Sequence, residues 1–432
     1  MSATGWGPSR RGGRPRRSLR IAGFFMGWGS LVAIVAVLSL ALATVRSVEA
    51  NITRLDLPEL ELPAAGGPLN LLVVGSDSRE GLTREQIGNL VLGDANDDTS
   101  GQRSDTVVLV SILPDGGGVN IVSFPRDLPV IYEGKRYKLT ETFSDGPQAV
   151  VEVINQNFGI PIHHYLEVSV LGFINTVEAL GTVEICLDEA LVDNKSGANF
   201  PEPGCYDMTP RDALTYVRSR QGSRGDFQRI ERQQTFLKAT IKELVDTRLL
   251  FDVPRLLDVV EKAASNVSTD DGLRIGQLQA LANQLRGFAD GNVPMTTVPA
   301  YVQSIDGKSF VIPYAPGAGA LFNALETGEL LTSRGTPDER AAVELVLWTG
   351  GRMIASDRAA STLFYSGFKP ELRGRGGIDA ESTTTVFFLP GQQEAARWVA
   401  ATLGAPLRSM PLDIEVPPGT QAVVVVGDDA EG

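Results

Sequence analysis

Histidine and cysteine are nearly missing from this chain, whose 432 residues carry two of each. Cys186 and Cys205 have no histidine close by in sequence, so a structural zinc centre, which takes four Cys or His ligands, is a poor fit. No Ser-His-Asp set can be assembled around His163 and His164; His164 opens the apolar stretch HYLEV and reads as a packing or hydrogen-bonding residue. Positive charge is also short, with 39 Lys and Arg against 52 Asp and Glu, which argues against nucleic acid as a partner. There are no internal repeats. A hydrophobic content of 43% with 21% charged residues describes folded protein, and the length exceeds one ordinary core.

The basic residues that do exist are unevenly placed. Residues 1–20 contain six arginines and no acid, and read as a cytoplasmic tail. Residues 21–45, IAGFFMGWGSLVAIVAVLSLALATV, then run without a charge. At about 1.5 Å per residue this stretch can cross a hydrocarbon core of about 30 Å. It is longer than the apolar region of a cleaved signal peptide, roughly 7–15 residues, so a retained membrane anchor is expected. An arginine-rich flank stays cytoplasmic, which puts the bulk of the chain outside the cytoplasm. In that oxidising setting Cys186 and Cys205, at the ends of a turn-rich loop, favour a disulfide over two buried thiols.

Residues 46–68 hold Pro58, Pro63 and Pro68 and read as a stalk. Short β-branched runs at 69–75, 106–113 and 119–124 read as strands. PQAVVEVINQNFG, 147–159, reads as a helix with Pro147 at its first position and Gly159 as its stop. Strands at HYLEVSV and TVEICL flank a helical LGFINTVEALG, and residues 230–290 read as mostly helical. Alternating strands and helices predict an α/β protein with a central sheet flanked by helices, spanning 69–325. The pattern loosens over 326–340. Residues 341–428 then read as strand–helix–strand–helix–strand, enough for a small second α/β domain.

Against the acidic background, YVRSRQGSRGDFQRIERQQ, Tyr216–Gln234, collects Arg218, Arg220, Arg224, Arg229 and Arg232. A helix starting near Asp226 puts Asp226, Arg229 and Gln233 at i, i+3 and i+7, within an arc of roughly 60°. Ile230, Leu237 and Ile241 fall on the adjoining arc and should bury. Arg218 and Arg220 alternate, so in extended backbone both would point one way. A solvated charged helix face is the bland reading of such a segment. Guanidiniums that converge need an anion among them, and their planar fork suits phosphate oxygens. Outside the cell a phosphorylated lipid is the anion that fits, with Arg224 and Arg232 turned toward solvent or Glu231.

Three further segments carry mixed charge beside strands. GSDSR places Asp77 and Arg79 after the first, RSD places Arg103 and Asp105 at the start of the second, and FPRD places Arg126 and Asp127 after the third. Open α/β sheets take ligands at such carboxyl ends. Two carboxylates with a diphosphate could hold Mg²⁺, which prefers oxygen donors.

Taken in chain order, GSDSR, RSDT, FPRD, KLTETF and VRSRQGSRGDFQRIERQQ resemble the signature of the LytR–CpsA–Psr family, over about residues 69–250. The region of about 340–428 resembles the LytR C-terminal domain appended in actinobacterial members. KLTETFSDGP departs from the family's small-residue and aromatic run, and LWTGG stands where an Asn-Gly turn is usual. The resemblance implies a mixed central sheet with an apolar pocket for a polyprenyl chain. It implies a membrane-anchored transferase that moves a glycopolymer from a polyprenyl-pyrophosphate carrier onto peptidoglycan. By motif, Asp77 and Asp105 would hold Mg²⁺ or Mn²⁺. Arg103, Arg126, Lys138, Arg218, Arg220, Arg229 and Gln233 would bind pyrophosphate, with Arg79 and Asp127 matching more loosely. Arg126, Arg218, Arg220 and Asp226 would carry the chemistry. A hydrolase of the same lipid and a non-catalytic lipid-binding module are the rival readings.

Overall fold

The strands expected at 69–75, 106–113 and 119–124 form at 69–76, 104–112 and 119–124, and have little polar character on either face, as suits a sheet covered on both sides. The computed structural model describes residues 52–78, 82–83, 88, 104–245, 266–273, 294–331, 333–374, 376–378 and 382–431. The chain divides into two compact units, 1–50 and 51–432. The first, with the expected tail 1–20 and anchor 21–45, lies outside the described residues. Among the described residues no helix is long and apolar enough to cross a membrane.

The central sheet has seven strands: β1 (Thr53–Leu55), β2 (Leu69–Ser76), β3 (Ser104–Ile112), β4 (Val119–Phe124), β5 (His164–Val168), β6 (Val267–Asp270) and β7 (Met295–Thr297), in the order β1-β6-β5-β2-β3-β4-β7. It is mixed: β2 runs parallel to β5 and antiparallel to β3, and β3 is antiparallel to β4. Alternation along the strands divides the apolar residues. Leu72, Val74, Val107, Leu109, Val122 and Phe124 pack on one face with helix α1 (Pro147–Phe158). Leu71, Val108, Val110 and Ile121 turn to the other face, where Ile241 packs.

Two expectations are corrected here. Part of the expected stalk is sheet, because Thr53–Leu55 pairs in parallel with β6 and Leu57 is buried in the main core. The expected helical stretch 230–290 is interrupted by β6, which joins β5 at Val267↔Val168. His164 is structural, as expected: its Nδ1 lies 3.1 Å from Asp270 on β6. His163 also works in the core, where Nδ1 accepts the Asn70 N–H at 2.8 Å and burial lowers its pKa.

Local sequence explains the helices that matter for the site. In α2 (Val170–Leu180), Ser169 caps the start by accepting the Gly172 N–H. Gly172 is required, since a Cβ there would meet the Asn266 carbonyl at 2.6 Å. Thr209 and Asp212 form a capping box for α3 (Pro210–Arg218), and Pro210 takes the first position. Gly225, at φ 52°, turns the chain into α4 (Asp226–Val245). Further on come α5 (Ala315–Thr327) and α6 (Pro337–Ala341). A five-stranded sheet follows in the order 369–373, 344–348, 422–425, 385–388, 407–409, with α7 (Met353–Tyr365) and α8 (Gln393–Leu403).

Cys186 and Cys205 face each other across the antiparallel pair Val183–Leu187 and Gly204–Met208, and are joined. The bridge spans 19 residues, a loop length for which restriction of the unfolded chain contributes about 3 kcal/mol. Cys186→Ala should therefore lower the urea-unfolding free energy by that order, measured against the oxidised protein. An unchanged value would show that the hairpin is ordered without its bridge.

Candidate active site

Between the second face of the sheet and helices α2, α3 and α4 lies a cavity of about 1110 Å³. Its walls are mainly aliphatic and aromatic: Leu71, Val73, Val108 and Val110 from the sheet, with Phe173, Leu214, Phe236 and Leu237 from the helices. Polar groups gather where β2 finishes and α4 begins. There Ser76, Asp77, Arg218, Arg220, Arg229 and Gln233 line it. Arg229 and Gln233 lie on the cavity, and Ile230 and Ile241 are buried as expected, whereas Leu237 is half-buried and lines the cavity as well.

Asp226 organises the cationic end. Its Oδ1 lies 3.0 Å from Arg229 Nη2, 3.5 Å from Arg220 Nε and 3.6 Å from Arg126 Nε. The network continues through Asp127, which lies 4.0 Å from Arg126 and 3.3 Å from Lys138 Nζ. Four cations therefore share two carboxylates. Arg229 is 2% exposed, and a buried guanidinium is costly unless its charge is met. Asp226 also stands in the first turn of α4, where the helix dipole favours an anion.

The five arginines split by role. Arg218 is the last residue of α3 and Arg220 follows it in a loop, so VRSR is not the extended backbone in which the two would alternate onto one side. Both line the cavity nonetheless. Arg224 grips Glu231 through two bonds of 2.7 Å, and Arg340 of α6 adds a third of 2.9 Å. Phe227 stacks on Tyr365 beside them, with ring centroids 4.8 Å apart. Burial lowers the Arg340 pKa, and Glu231 works against that shift. Arg232 faces neither solvent nor Glu231 alone. It donates to the backbone carbonyls of Ser219 and Gln221 at 2.9 and 2.6 Å.

Lys138 precedes a short helix, Leu139–Thr142, whose Glu141 accepts the Lys138 N–H at 2.8 Å. Its ammonium meets Asp127 and stands 5.7 Å from the centre of the Phe310 ring. Arg79, Arg103 and the side chain of Asp105 lie outside the described residues. The backbone brings positions 77 and 105 to one end of two neighbouring central strands, because Ser76 pairs with Ser104 across a bulge in β2–β3. Both positions hold aspartate, and carboxylate oxygen is the donor type that Mg²⁺ or Mn²⁺ takes.

Several contributors carried no signal in their local sequence. Gln234 ties α4 to the sheet through Ser123 Oγ at 2.9 Å and Thr297 Oγ1 at 3.2 Å. Asp193 lies in the disulfide-closed loop and accepts from Ser219 Oγ at 2.8 Å. Burial pushes the Asp193 pKa up, but hydrogen bonds from Ser219, Lys195 and Arg220 outweigh it and hold the group below the usual carboxylate range. Such partners are set by tertiary contact, so neither periodicity nor motif spacing marks them.

The LytR_cpsA_psr family matches residues 36–327. The chain is 32% identical over 278 residues to the cell wall biosynthesis protein LcpA of Corynebacterium glutamicum, covering 56% of this chain and 52% of that protein. It is 30% identical over 320 residues to the probable cell wall biosynthesis protein LcpB of the same organism, covering 73% and 74%. It is 29% identical over 230 residues to the polyisoprenyl-teichoic acid–peptidoglycan teichoic acid transferase TagU of Halalkalibacterium halodurans, covering 52% and 68%. The match thus spans about half of LcpA's own length. Among solved structures, a LytR-Csp2A-Psr enzyme from Actinomyces oris superposes with a TM-score of 0.50 at 21% identity, over 64% of this chain and 96% of that one. TagV of B. subtilis gives 0.50 at 22%, over 61% and 98%. These two likenesses show the fold.

The division among the arginines makes a stability prediction. Glu231→Gln weakens charge-assisted bonds from two partly buried arginines and should cost about 1.5–3 kcal/mol. Arg220 is 47% exposed, so Arg220→Ala should stay within about 0.5 kcal/mol of wild type. Denaturant titration of both variants checks this. Equal losses would show that the two arginine groups do not differ in role.

Proposed function

The chain belongs to the LytR–CpsA–Psr family, and on that premise we propose that it is an extracytoplasmic phosphotransferase. It moves a glycopolymer from a polyprenyl-pyrophosphate carrier to a sugar hydroxyl of peptidoglycan, forming a phosphodiester. Residues 21–45 anchor it in the cell membrane, with the basic tail inside. The observation that carries the reading is a network of four cations on two carboxylates, two of whose arginines, Arg220 and Arg229, line an apolar cavity of about 1110 Å³ together with Arg218. That combination matches an apolar chain ending in a diphosphate. The names of LcpA and TagU, which speak of cell wall biosynthesis and teichoic acid transfer, support the same class of substrate.

In this reading the prenyl chain fills the aliphatic cavity and leaves water excluded from the diphosphate. Arg218, Arg220 and Arg229 bind the phosphate oxygens, with Gln233 beside them. Asp226 keeps Arg126, Arg220 and Arg229 from repelling one another and sets their directions. The acceptor hydroxyl attacks the sugar-side phosphorus; a new P–O bond forms, the bridging P–O bond to polyprenyl phosphate breaks, and the hydroxyl proton passes to the departing polyprenyl phosphate. Phosphoryl transfer through a loose transition state depends on alignment and charge stabilisation, so the arginines do most of the work. Asp77 and Asp105 are the residues to hold Mg²⁺ or Mn²⁺, which when bound neutralises diphosphate charge.

The test is to incubate the full-length protein in detergent with a synthetic polyprenyl-pyrophosphate glycan, a peptidoglycan fragment and Mg²⁺. Glycan should become covalently linked to the fragment, and a chelator should suppress the linkage. Arg218→Ala, Arg220→Ala and Arg229→Ala should each slow transfer on the order of 10–150-fold, the worth of one charge-assisted bond. Release of free glycan phosphate without linkage would make the protein a hydrolase. Binding without turnover would make it a lipid-binding module.

A further inference from the structure

Arg218 and Arg220 are separated by one residue, Ser219, which is fully buried. This residue is held from two sides. Asp193, 8% exposed, sits on the hairpin Leu191–Asp193 and Ala198–Phe200, inside the loop closed by Cys186 and Cys205. Its Oδ2 accepts the Ser219 hydroxyl at 2.8 Å and the Arg220 N–H at 3.3 Å, while Oδ1 accepts the Lys195 N–H at 3.0 Å. From α4, Arg232 donates to the carbonyls of Ser219 and Gln221 at 2.9 and 2.6 Å. The Gln221 N–H closes the arrangement on Ser219 Oγ at 3.2 Å.

The need for such a clamp follows from the backbone. Helix α3 ends at Arg218, and Ser219 leaves it in extended conformation, φ −64° and ψ 136°. The Ser219 N–H still donates to the Tyr216 carbonyl at 3.2 Å, but the carbonyls of Ser219 and Gln221 and the N–H of Arg220 look beyond the helix for partners, and unsatisfied buried backbone groups are costly. Arg218 and Arg220 also repel each other, and free rotation at the link would let both swing apart. An ionised carboxylate and a guanidinium at opposite edges fix the link through charge-assisted bonds, which are roughly twice as strong as neutral ones.

We infer that Asp193 and Arg232 are positioning residues that aim Arg218 and Arg220 at the polar end of the cavity. They act through the 219–221 link. What the two arginines then hold rests on the pyrophosphate reading above; the clamp itself does not. It also gives the disulfide-closed loop a purpose beyond stability, since that loop delivers Asp193.

The test uses the full-length protein, with Asp193→Asn, Arg232→Gln, Ser219→Ala and the Asp193→Asn/Ser219→Ala double variant. The probe is geranylgeranyl pyrophosphate, titrated by calorimetry. Each single variant should bind it roughly 10–150-fold more weakly, and the double variant no more weakly than the weaker single. Hydrogen exchange without ligand is the second arm. Asp193→Asn should speed exchange of the Arg220 and Gln221 amides by at least about tenfold, with the cooperative unfolding of the rest preserved. Wild-type affinity and wild-type exchange in a folded Asp193→Asn would overturn the inference. Should that variant not fold, Ser219→Ala decides on the same two readouts. A wild-type protein with no affinity for the prenyl pyrophosphate would defeat the functional reading, while faster exchange at Arg220 and Gln221 would still sustain the clamp and unchanged exchange would remove it.

Discussion

Like charges brought to one end of an apolar cavity must be held there against their own repulsion, and in this protein Asp226 supplies the counter-charge. One carboxylate meets guanidiniums from three places in the chain: the loop after β4, the link after α3, and the second turn of α4. Remove it and Arg229, almost wholly buried, loses a partner at 3.0 Å. Coulomb repulsion among the remaining cations would then act at reduced dielectric, where it is strongest. The sheet, the capped helices and the sharp glycine turn at Gly225 all serve to deliver those groups to one point.

The five arginines of the 216–234 stretch show how an acidic protein can use such a cluster without one uniform role. Three face the cavity. Arg224 joins Glu231 and Arg340, coupling α4 to the C-terminal region through a partly buried ion-pair cluster and an aromatic stack. Arg232 holds the backbone between two of the cavity arginines. Removal of either of these two acts on the site through backbone and packing, whereas the cavity arginines act on the bound anion directly.

Much of this was legible in the sequence, and the exceptions share a cause. β2, β3, β4 and α1 emerge from runs long enough to show period or composition, and their ends from Pro147 and Gly159. The arc of Asp226, Arg229 and Gln233 follows from helix geometry alone. β1 and β6 did not emerge, because strands of three and four residues are too short for periodicity and exist by pairing, β1 with β6 and β6 with β5. VRSR alternates like a strand, yet the capping box at Thr209 and Asp212 starts a helix that runs through Arg218. Asp193 lies 26 residues before its Ser219 partner, and nothing local announces such a contact. Short-range order is written in local sequence; the partners that orient a site are set by the fold.

The central claim is that a prenyl diphosphate sits with its tail in the cavity and its phosphates on the arginines at the start of α4. A crystal structure of the protein with geranylgeranyl pyrophosphate and Mg²⁺ tests this most directly. The account predicts phosphate oxygens within about 2.7–3.2 Å of Arg218, Arg220 and Arg229, with the prenyl chain against Leu71, Val108 and Phe236. Phosphates bound away from these guanidiniums, or a prenyl chain outside the cavity, would contradict it.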